Sequence, residues 1–182
     1  LVVLPTGGGK SLCYQVPALM LPKLTVVISP LISLMKDQVD ALEARGLPAT
    51  FINSTLPSSV VAERLARAAR GELKMLYVAP ERFDAGRTAE RLRDAGVSLL
   101  AIDEAHCISE WGHDFRPEYG QLAILRERFT TVPRIALTAT ADVPTRQEIA
   151  QRLLLDPRVF VASFDRPNIR YRIIEKRDPR DQ

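Results

Sequence analysis

The stretch Leu1-Val2-Val3-Leu4-Pro5-Thr6-Gly7-Gly8-Gly9-Lys10-Ser11 decides the fold class of this chain. Its apolar start is typical of a buried strand, and the glycines after it lead into a predicted helix. Glycines let a backbone curl so that its N–H groups point at phosphate oxygens, and a helix amino terminus adds positive potential there. In such a loop Lys10 would reach the outer phosphates and the Ser11 hydroxyl would bind Mg²⁺. The predicted nucleotide-binding residues are Pro5, Thr6, Gly7, Gly8, Gly9, Lys10 and Ser11.

The loop departs from the strict phosphate-loop pattern at one position. That pattern has glycine six residues before the lysine, where this chain has Leu4. The alternative to a phosphate site is a flexible glycine turn beside a surface lysine. The setting between a strand and a helix favours the phosphate site.

Short apolar runs alternate with stretches of helical spacing along the whole chain. The predicted strands are Leu1–Leu4, Leu24–Ile28, Ala49–Ile52, Met75–Val78, Leu99–Ile102, Ile135–Leu137 and Val159–Val161. The predicted helices are Leu31–Arg45, Val60–Arg70, Arg87–Ala95 and Thr145–Leu154, the second capped by Ser58 or Ser59 and ended by Gly71. This order predicts an α/β fold with a mostly parallel sheet covered by helices on both faces. Ligands of such sheets bind where the carboxyl ends of the strands emerge.

Composition limits the class of protein more than it identifies it. The chain has 182 residues, of which 46% are hydrophobic and 26% charged, so one globular domain is expected. A net charge of +3 permits a polyanionic partner without requiring one. Two distant cysteines argue against a disulfide framework, and no apolar run has the length of a membrane span. We therefore expect an intracellular protein with no membrane partner; the bacterial cytoplasm or nucleoid is what the family resemblance described below implies.

The two ends of the chain differ in character. The apolar start reads as the middle of a strand, so we expect further sequence upstream of it. The segment 1–174 is interpreted as one domain. The charged, aperiodic segment 175–182 is interpreted as a linker.

Two acids come directly after the predicted strand Leu99–Ile102. Asp103 at a strand end suits the role of holding Mg²⁺, and Glu104 would orient and deprotonate an attacking water. The alternative is that Asp103 caps a helix after the strand. With the glycine loop in the right order along the chain, the predicted catalytic residues are Lys10, Asp103 and Glu104.

A zinc site is the other metal hypothesis for this region. His106, Cys107 and His113 are close in sequence, but structural zinc usually takes four ligands in short-spaced pairs. Since no second cysteine pair exists, we expect no zinc in this chain.

Four further segments resemble the ordered motifs of superfamily-two helicases. They are Ser29–Gln38, Tyr77–Arg82, the DEAH sequence Asp103–His106, and Ala136–Ala141. The resemblance implies that Ser29, Lys36 and Arg82 contact a nucleic-acid backbone. It implies that His106, Thr138 and Thr140 couple hydrolysis to strand handling. From the residues alone, Lys36 and Arg82 are readily explained as solvated charges, and the threonines as ordinary strand residues.

The segment Cys107–Tyr119 resembles the aromatic-rich loop of the RecQ family of DNA helicases. Ser163–Ile169 is similar to that family's segment near the end of its first motor domain. The residues that the resemblance assigns to DNA sensing are Trp111, His113, Phe115 and Arg116. The alternative is that Trp111 and Phe115 form a small core beneath a long loop.

The RecQ resemblance implies a RecA-like P-loop domain that uses ATP and Mg²⁺. The implied activity is 3′–5′ translocation on single-stranded DNA and unwinding at duplex junctions, in DNA repair and recombination. A second RecA-like domain would supply an arginine finger, so this chain alone is expected to be nearly inactive. Two other classes stay open: a metabolite kinase with a phosphate loop, and a helicase-like binding module without turnover.

Overall fold

A computed structural model describes residues 1–83, 87–109, 114–154, 156–163, 169–170 and 172. Its centre is a seven-stranded sheet. The strands are β1 (Val2–Val3), β2 (Leu24–Ile28), β3 (Ala49–Ile52), β4 (Met75–Val78), β5 (Val97–Ile102), β6 (Arg134–Thr138) and β7 (Phe160–Val161). Their order across the sheet is β3-β4-β2-β5-β6-β1-β7, and each described pair is parallel.

Helices occupy the connections between the strands. They are α1 (Leu12–Met20), α2 (Ile32–Glu43), α3 (Ser58–Ala69), α4 (Arg87–Ala95), α5 (Pro117–Gly120), α6 (Ile124–Arg128) and α7 (Val143–Leu153). Short 3₁₀ turns lie at Pro80–Phe83, Ala105–Ile108 and Gln121–Ala123. No helix in the described ranges is long and apolar enough to cross a membrane.

Alternating side chains of the strands form a core on each face of the sheet. Val26 and Ile28 of β2 belong to the core that takes in α3, α4, α6 and α7. Val27, between them, belongs to the opposite core with Tyr14 of α1 and Met35 of α2. Every residue of β2 is buried, and each such aliphatic side chain contributes about 1.5–3 kcal/mol relative to exposure. The predicted α/β sheet with helices on both faces is confirmed.

The predicted elements differ from the structure mainly at their ends. The helix predicted over Val60–Arg70 begins at Ser58, and its cap position is Pro57, which makes no side-chain cap bond. The prediction that Ser58 or Ser59 caps this helix was therefore wrong, because both serines lie inside its first turn. Gly71 ends it as predicted, with a φ of +73°. The predicted linker 175–182 lies outside the described residues.

Candidate nucleotide site and nucleic-acid interface

The register of the sheet brings residues from distant parts of the chain to one edge. Ile28 is paired with Val78 on one side and with Ile102 on the other. The residues directly after these strands leave the sheet at one level, since the Ser29 N–H donates to the Val78 carbonyl and the Asp103 N–H to the Ile28 carbonyl. Ser29 and Asp103 therefore lie together at the carboxyl edge of the sheet, where ligands of parallel sheets bind.

The glycine loop is a defined turn with a separate requirement at each glycine. Gly7 and Gly9 both have a φ of +80°, which side-chain-bearing residues rarely adopt. A Cβ on Gly8 would lie 2.8 Å from the Pro5 carbonyl oxygen, which also accepts the Gly8 N–H at 2.9 Å. These constraints argue against the flexible-turn alternative.

The departure at Leu4 has a structural explanation. Among the described residues other than glycine, only Glu104 and Asp156 have positive φ, so the backbone at Leu4 does not need glycine. The Leu4 N–H donates to the Thr138 carbonyl at 3.1 Å, which ties the start of the loop to β6. The half-buried Lys10 folds across the loop and donates to the Leu4 carbonyl at 3.4 Å.

Asp103 is a buried carboxylate whose charged form is disfavoured by its surroundings. Its exposed fraction is 9%. Burial, and after it the charge of Glu104, raise the pKa of Asp103 to about 6, while the charge of Lys10 opposes this. A cation at this carboxylate would relieve that cost, and Mg²⁺ prefers carboxylate, hydroxyl and phosphate oxygens. The carboxylate of Asp103 and the hydroxyl of Ser11 therefore have the donor chemistry that Mg²⁺ prefers.

Glu104 has a left-handed backbone, with φ 47° and ψ 43°. Such a conformation costs a residue with a Cβ about 1–3 kcal/mol and is found most often at functional sites. The Asp103 Oδ1 accepts the N–H of Glu104 itself at 3.0 Å. Directly after Glu104 the chain forms the 3₁₀ turn Ala105–Ile108, so Asp103 caps no α-helix and the capping alternative is disfavoured.

His106 joins the candidate base to the end of β6. Its Nδ1 lies 3.3 Å from the Glu104 Oε2 and 2.9 Å from the Thr138 Oγ1. The Thr138 hydroxyl donates to the Thr140 carbonyl at 2.9 Å, so it accepts from His106 when Nδ1 carries the proton. The structure thus connects Glu104, His106, Thr138 and Thr140 in one network. Thr140 is exposed and lies outside β6, so the alternative that it is an ordinary strand residue is wrong for this threonine.

The predicted backbone-contacting residues fall into two groups. Ser29 is 2% exposed, and neither its Oγ nor the buried Nε of Arg82 has a hydrogen-bond partner among the described residues. Lys36 is well exposed and forms an ion pair with Asp40 one helical turn away. The exposure of Lys36 fits both a nucleic-acid contact and a plain solvated charge. Ser29 and Arg82 each have a buried polar atom near the carboxyl edge without a hydrogen-bond partner among the described residues.

The aromatic-rich loop is described only at its two ends. Trp111 and His113, predicted as sensing residues, lie outside the described residues. Phe115 is 38% exposed, which argues against the small-core alternative for that ring. Arg116 is half-buried, and its N–H donates to the Cys107 carbonyl at 3.0 Å. Seven residues line a cavity of about 250 Å³ at this end of the loop: Pro30, Leu31, Glu104, His106, Cys107, Asp114 and Arg116.

Sequence reasoning missed three polar residues near this edge. The Tyr119 hydroxyl donates to the Asp103 carbonyl at 2.7 Å, and the Asp114 Oδ2 lies 3.5 Å from the His106 Nε2. Asn53 is fully buried directly after β3, with its Nδ2 unpartnered among the described residues. Only Asn53 had a sequence signal, because it comes after β3 as Ser29 comes after β2.

In the described part of the chain, no cluster of three or more His, Cys, Asp or Glu could hold a metal ion.

Comparison with known families agrees with this geometry. The sequence model of DEAD/DEAH box helicases matches residues 1–149. The chain belongs to the DEAD/DEAH box helicase family. Within the family, this chain is 53% identical over 183 residues to the ATP-dependent DNA helicase RecQ of Pasteurella multocida, covering 100% of this chain. It is 47% identical over 175 residues to the RecQ helicase of Bacillus subtilis, covering 95% of this chain. The RecQ resemblance predicted from the sequence is confirmed.

The domain spans 29% and 30% of the length of those two relatives. Among solved structures it is similar to the Hef helicase domain of Pyrococcus furiosus, with a TM-score of 0.66 and 22% identity over 92% of this chain and 35% of that one. It is also similar to a hypothetical ATP-dependent RNA helicase from Sulfolobus tokodaii, with a TM-score of 0.65 and 17% identity over 88% of this chain and 47% of that one. These likenesses confirm the predicted RecA-like fold.

Proposed function

We propose that this domain binds and hydrolyses ATP as the first motor domain of a RecQ-type DNA helicase. The observation that carries the proposal is the position of the glycine loop beside the Asp103–Glu104 pair. The loop comes after β1, which pairs with β6, and the acids come after β5, on the other side of β6. Phosphate-binding and proton-accepting groups therefore flank one strand end, as phosphoryl transfer to water requires.

Each site residue has a separate role in ATP binding or hydrolysis. The loop N–H groups of Gly7–Ser11, apart from the Gly8 N–H that donates to the Pro5 carbonyl, and the Lys10 ammonium bind the phosphates of ATP. Bound Mg²⁺ would neutralise charge on those phosphates, held by Ser11 and Asp103. Glu104 orients a water molecule and takes its proton as the water oxygen bonds to the γ-phosphorus. The bond from that phosphorus to the β–γ bridging oxygen breaks, and ADP and phosphate leave.

Coupling to DNA is proposed through the network around His106. The proposed substrate is single-stranded or junction DNA, and the names of the relatives support DNA. A second RecA-like domain would close the site on ATP, and reopening would move the protein 3′–5′ along one strand. A place in DNA repair and recombination, in the bacterial cytoplasm or nucleoid, belongs to the same proposal.

The test is Glu104→Gln in the full-length protein, because the amide keeps the shape of the side chain but cannot take a proton. Mg-ATP should still bind, while DNA-stimulated turnover falls by roughly 10²–10⁴. The matched control is Glu63→Gln, an exposed position on α3, which should leave turnover unchanged. Loss of ATP binding in a folded Glu104→Gln protein would make Glu104 structural, and near-normal turnover would refute the assignment.

The same assay separates the two alternative functions. A metabolite kinase would turn over ATP with its acceptor and show no response to DNA. A binding module would not hydrolyse ATP in any of the three conditions: with DNA, with RNA, or without nucleic acid. We expect turnover that DNA stimulates and RNA does not.

A further inference from the structure

The peptide unit between Asp103 and Glu104 is held by side chains at both of its polar atoms. Its carbonyl oxygen accepts the Tyr119 hydroxyl at 2.7 Å. Its N–H donates to the Asp103 Oδ1 at 3.0 Å. These two bonds fix the plane of the peptide immediately before the candidate catalytic base.

The orientation of this peptide decides where Glu104 points. Glu104 has a φ of 47°, in a narrow region that a residue with a Cβ leaves readily unless its neighbours prevent it. The Glu104 carbonyl in turn accepts the Cys107 N–H at 2.9 Å. Without the Tyr119 bond, the Asp103 carboxylate would be the one remaining hydrogen-bond partner of this peptide among the described residues, and that carboxylate is also the candidate magnesium ligand.

Tyr119 is well suited to act as a rigid anchor. It is fully buried and belongs to the same core as Leu122 and Leu125. It lies on α5, the helix that begins directly after Arg116. The Arg116 N–H donates to the Cys107 carbonyl. The carboxyl end of the aromatic-rich loop is therefore bonded to the catalytic turn at two points, Cys107 and Asp103.

We propose that Tyr119 is a positioning residue for Glu104. Its hydroxyl holds the Asp103–Glu104 peptide so that the Glu104 carboxylate stays beside His106 and faces the attacking water. The inference rests on the proposed ATPase function, and it assigns to the end of the aromatic loop a direct mechanical link to the catalytic base.

The test is Tyr119→Phe in the full-length protein, which removes the hydroxyl and keeps the buried ring. Because a small displacement of a catalytic group is enough to slow a reaction, kcat should fall by roughly 10- to 100-fold. The KM for Mg-ATP and the Kd for DNA should not change. Amide hydrogen exchange of residues 103–107 should become faster.

Two controls separate positioning from a general loss of stability. Leu125→Val trims the same core and keeps the hydroxyl, so it should lower Tm without lowering kcat. Adding Tyr119→Phe to Glu104→Gln should cost little further turnover, because residues that act as one unit are not additive.

The outcomes are distinct. Parent-like kcat in Tyr119→Phe, a full additional loss in the double variant, or a fall in kcat that Leu125→Val reproduces would each overturn the inference while leaving the ATPase proposal intact. No turnover in the unaltered protein would overturn the proposed function and this inference together.

Discussion

Replacing Gly8 by alanine should damage nucleotide binding far more than it damages the fold. The new Cβ would lie 2.8 Å from the Pro5 carbonyl oxygen, well inside the 3.4 Å of ordinary van der Waals contact. That neighbour is backbone, so the turn must open and the bond from the Gly8 N–H to Pro5 must break. Each hydrogen bond from a loop N–H to a charged phosphate is worth about 1.5–3 kcal/mol. Losing one raises the Kd for Mg-ATP by roughly 10- to 150-fold.

Gly46→Ala is the matched control for this change. Gly46 has a φ of +73° with nothing within 4 Å of a new Cβ, and it lies in the turn after α2. This substitution should cost about 1–2 kcal/mol of folding free energy and leave the Kd unchanged. Titration calorimetry with Mg-ATP and thermal unfolding measure both quantities. Equal Kd values for Gly8→Ala and the parent would show that the loop does not bind phosphate.

Two further predictions concern stability and DNA sensing. The raised pKa of Asp103, about 6, means that this group destabilises the folded protein progressively as pH rises from about 4 to 6, and fully above that. Without nucleotide and Mg²⁺, Asp103→Asn should therefore stabilise the protein by about 1–3 kcal/mol near neutral pH while abolishing turnover, and an unchanged Tm would contradict this. Trp111→Ala should leave the fold intact and reduce DNA binding modestly, while the ratio of DNA-stimulated to basal ATPase collapses. A less stable protein with a normal ratio would instead support the small-core alternative.

The sequence predicted the sheet well because of how a parallel sheet is buried. Both faces of β2 and β5 are covered over most of their length, so these strands appear as continuous apolar runs that local composition detects. The site residues at the strand ends were predictable because they come directly after these apolar runs. The short helices α5 and α6, of four and five residues, were missed because they are too short to show a helical period.

The fine geometry of the catalytic turn had no local signal. Nothing in the sequence marks Glu104 as left-handed, because glutamate has no preference for positive φ. The bond from His106 to Thr138 spans 32 residues, and that from Tyr119 to Asp103 spans 16, so both depend on tertiary packing. The cap predicted at Ser58 or Ser59 was wrong because a serine inside the first turn has the same sequence signature as one that caps it.

The pairing of β1 has a consequence for the order of events during synthesis. β1 lies between β6 and β7, and its Val2 is paired with Leu137 and Phe160, both more than a hundred positions further along the chain. At about 5–20 residues per second, a ribosome needs roughly 8 to 30 seconds to make the intervening chain. Until β6 and then β7 have been made, the glycine loop lacks the strands that flank β1, so ATP cannot assist the early collapse of the nascent chain. Because β7 pairs with β1, exposed substitutions in β7 should first be detected as late or incomplete acquisition of nucleotide binding.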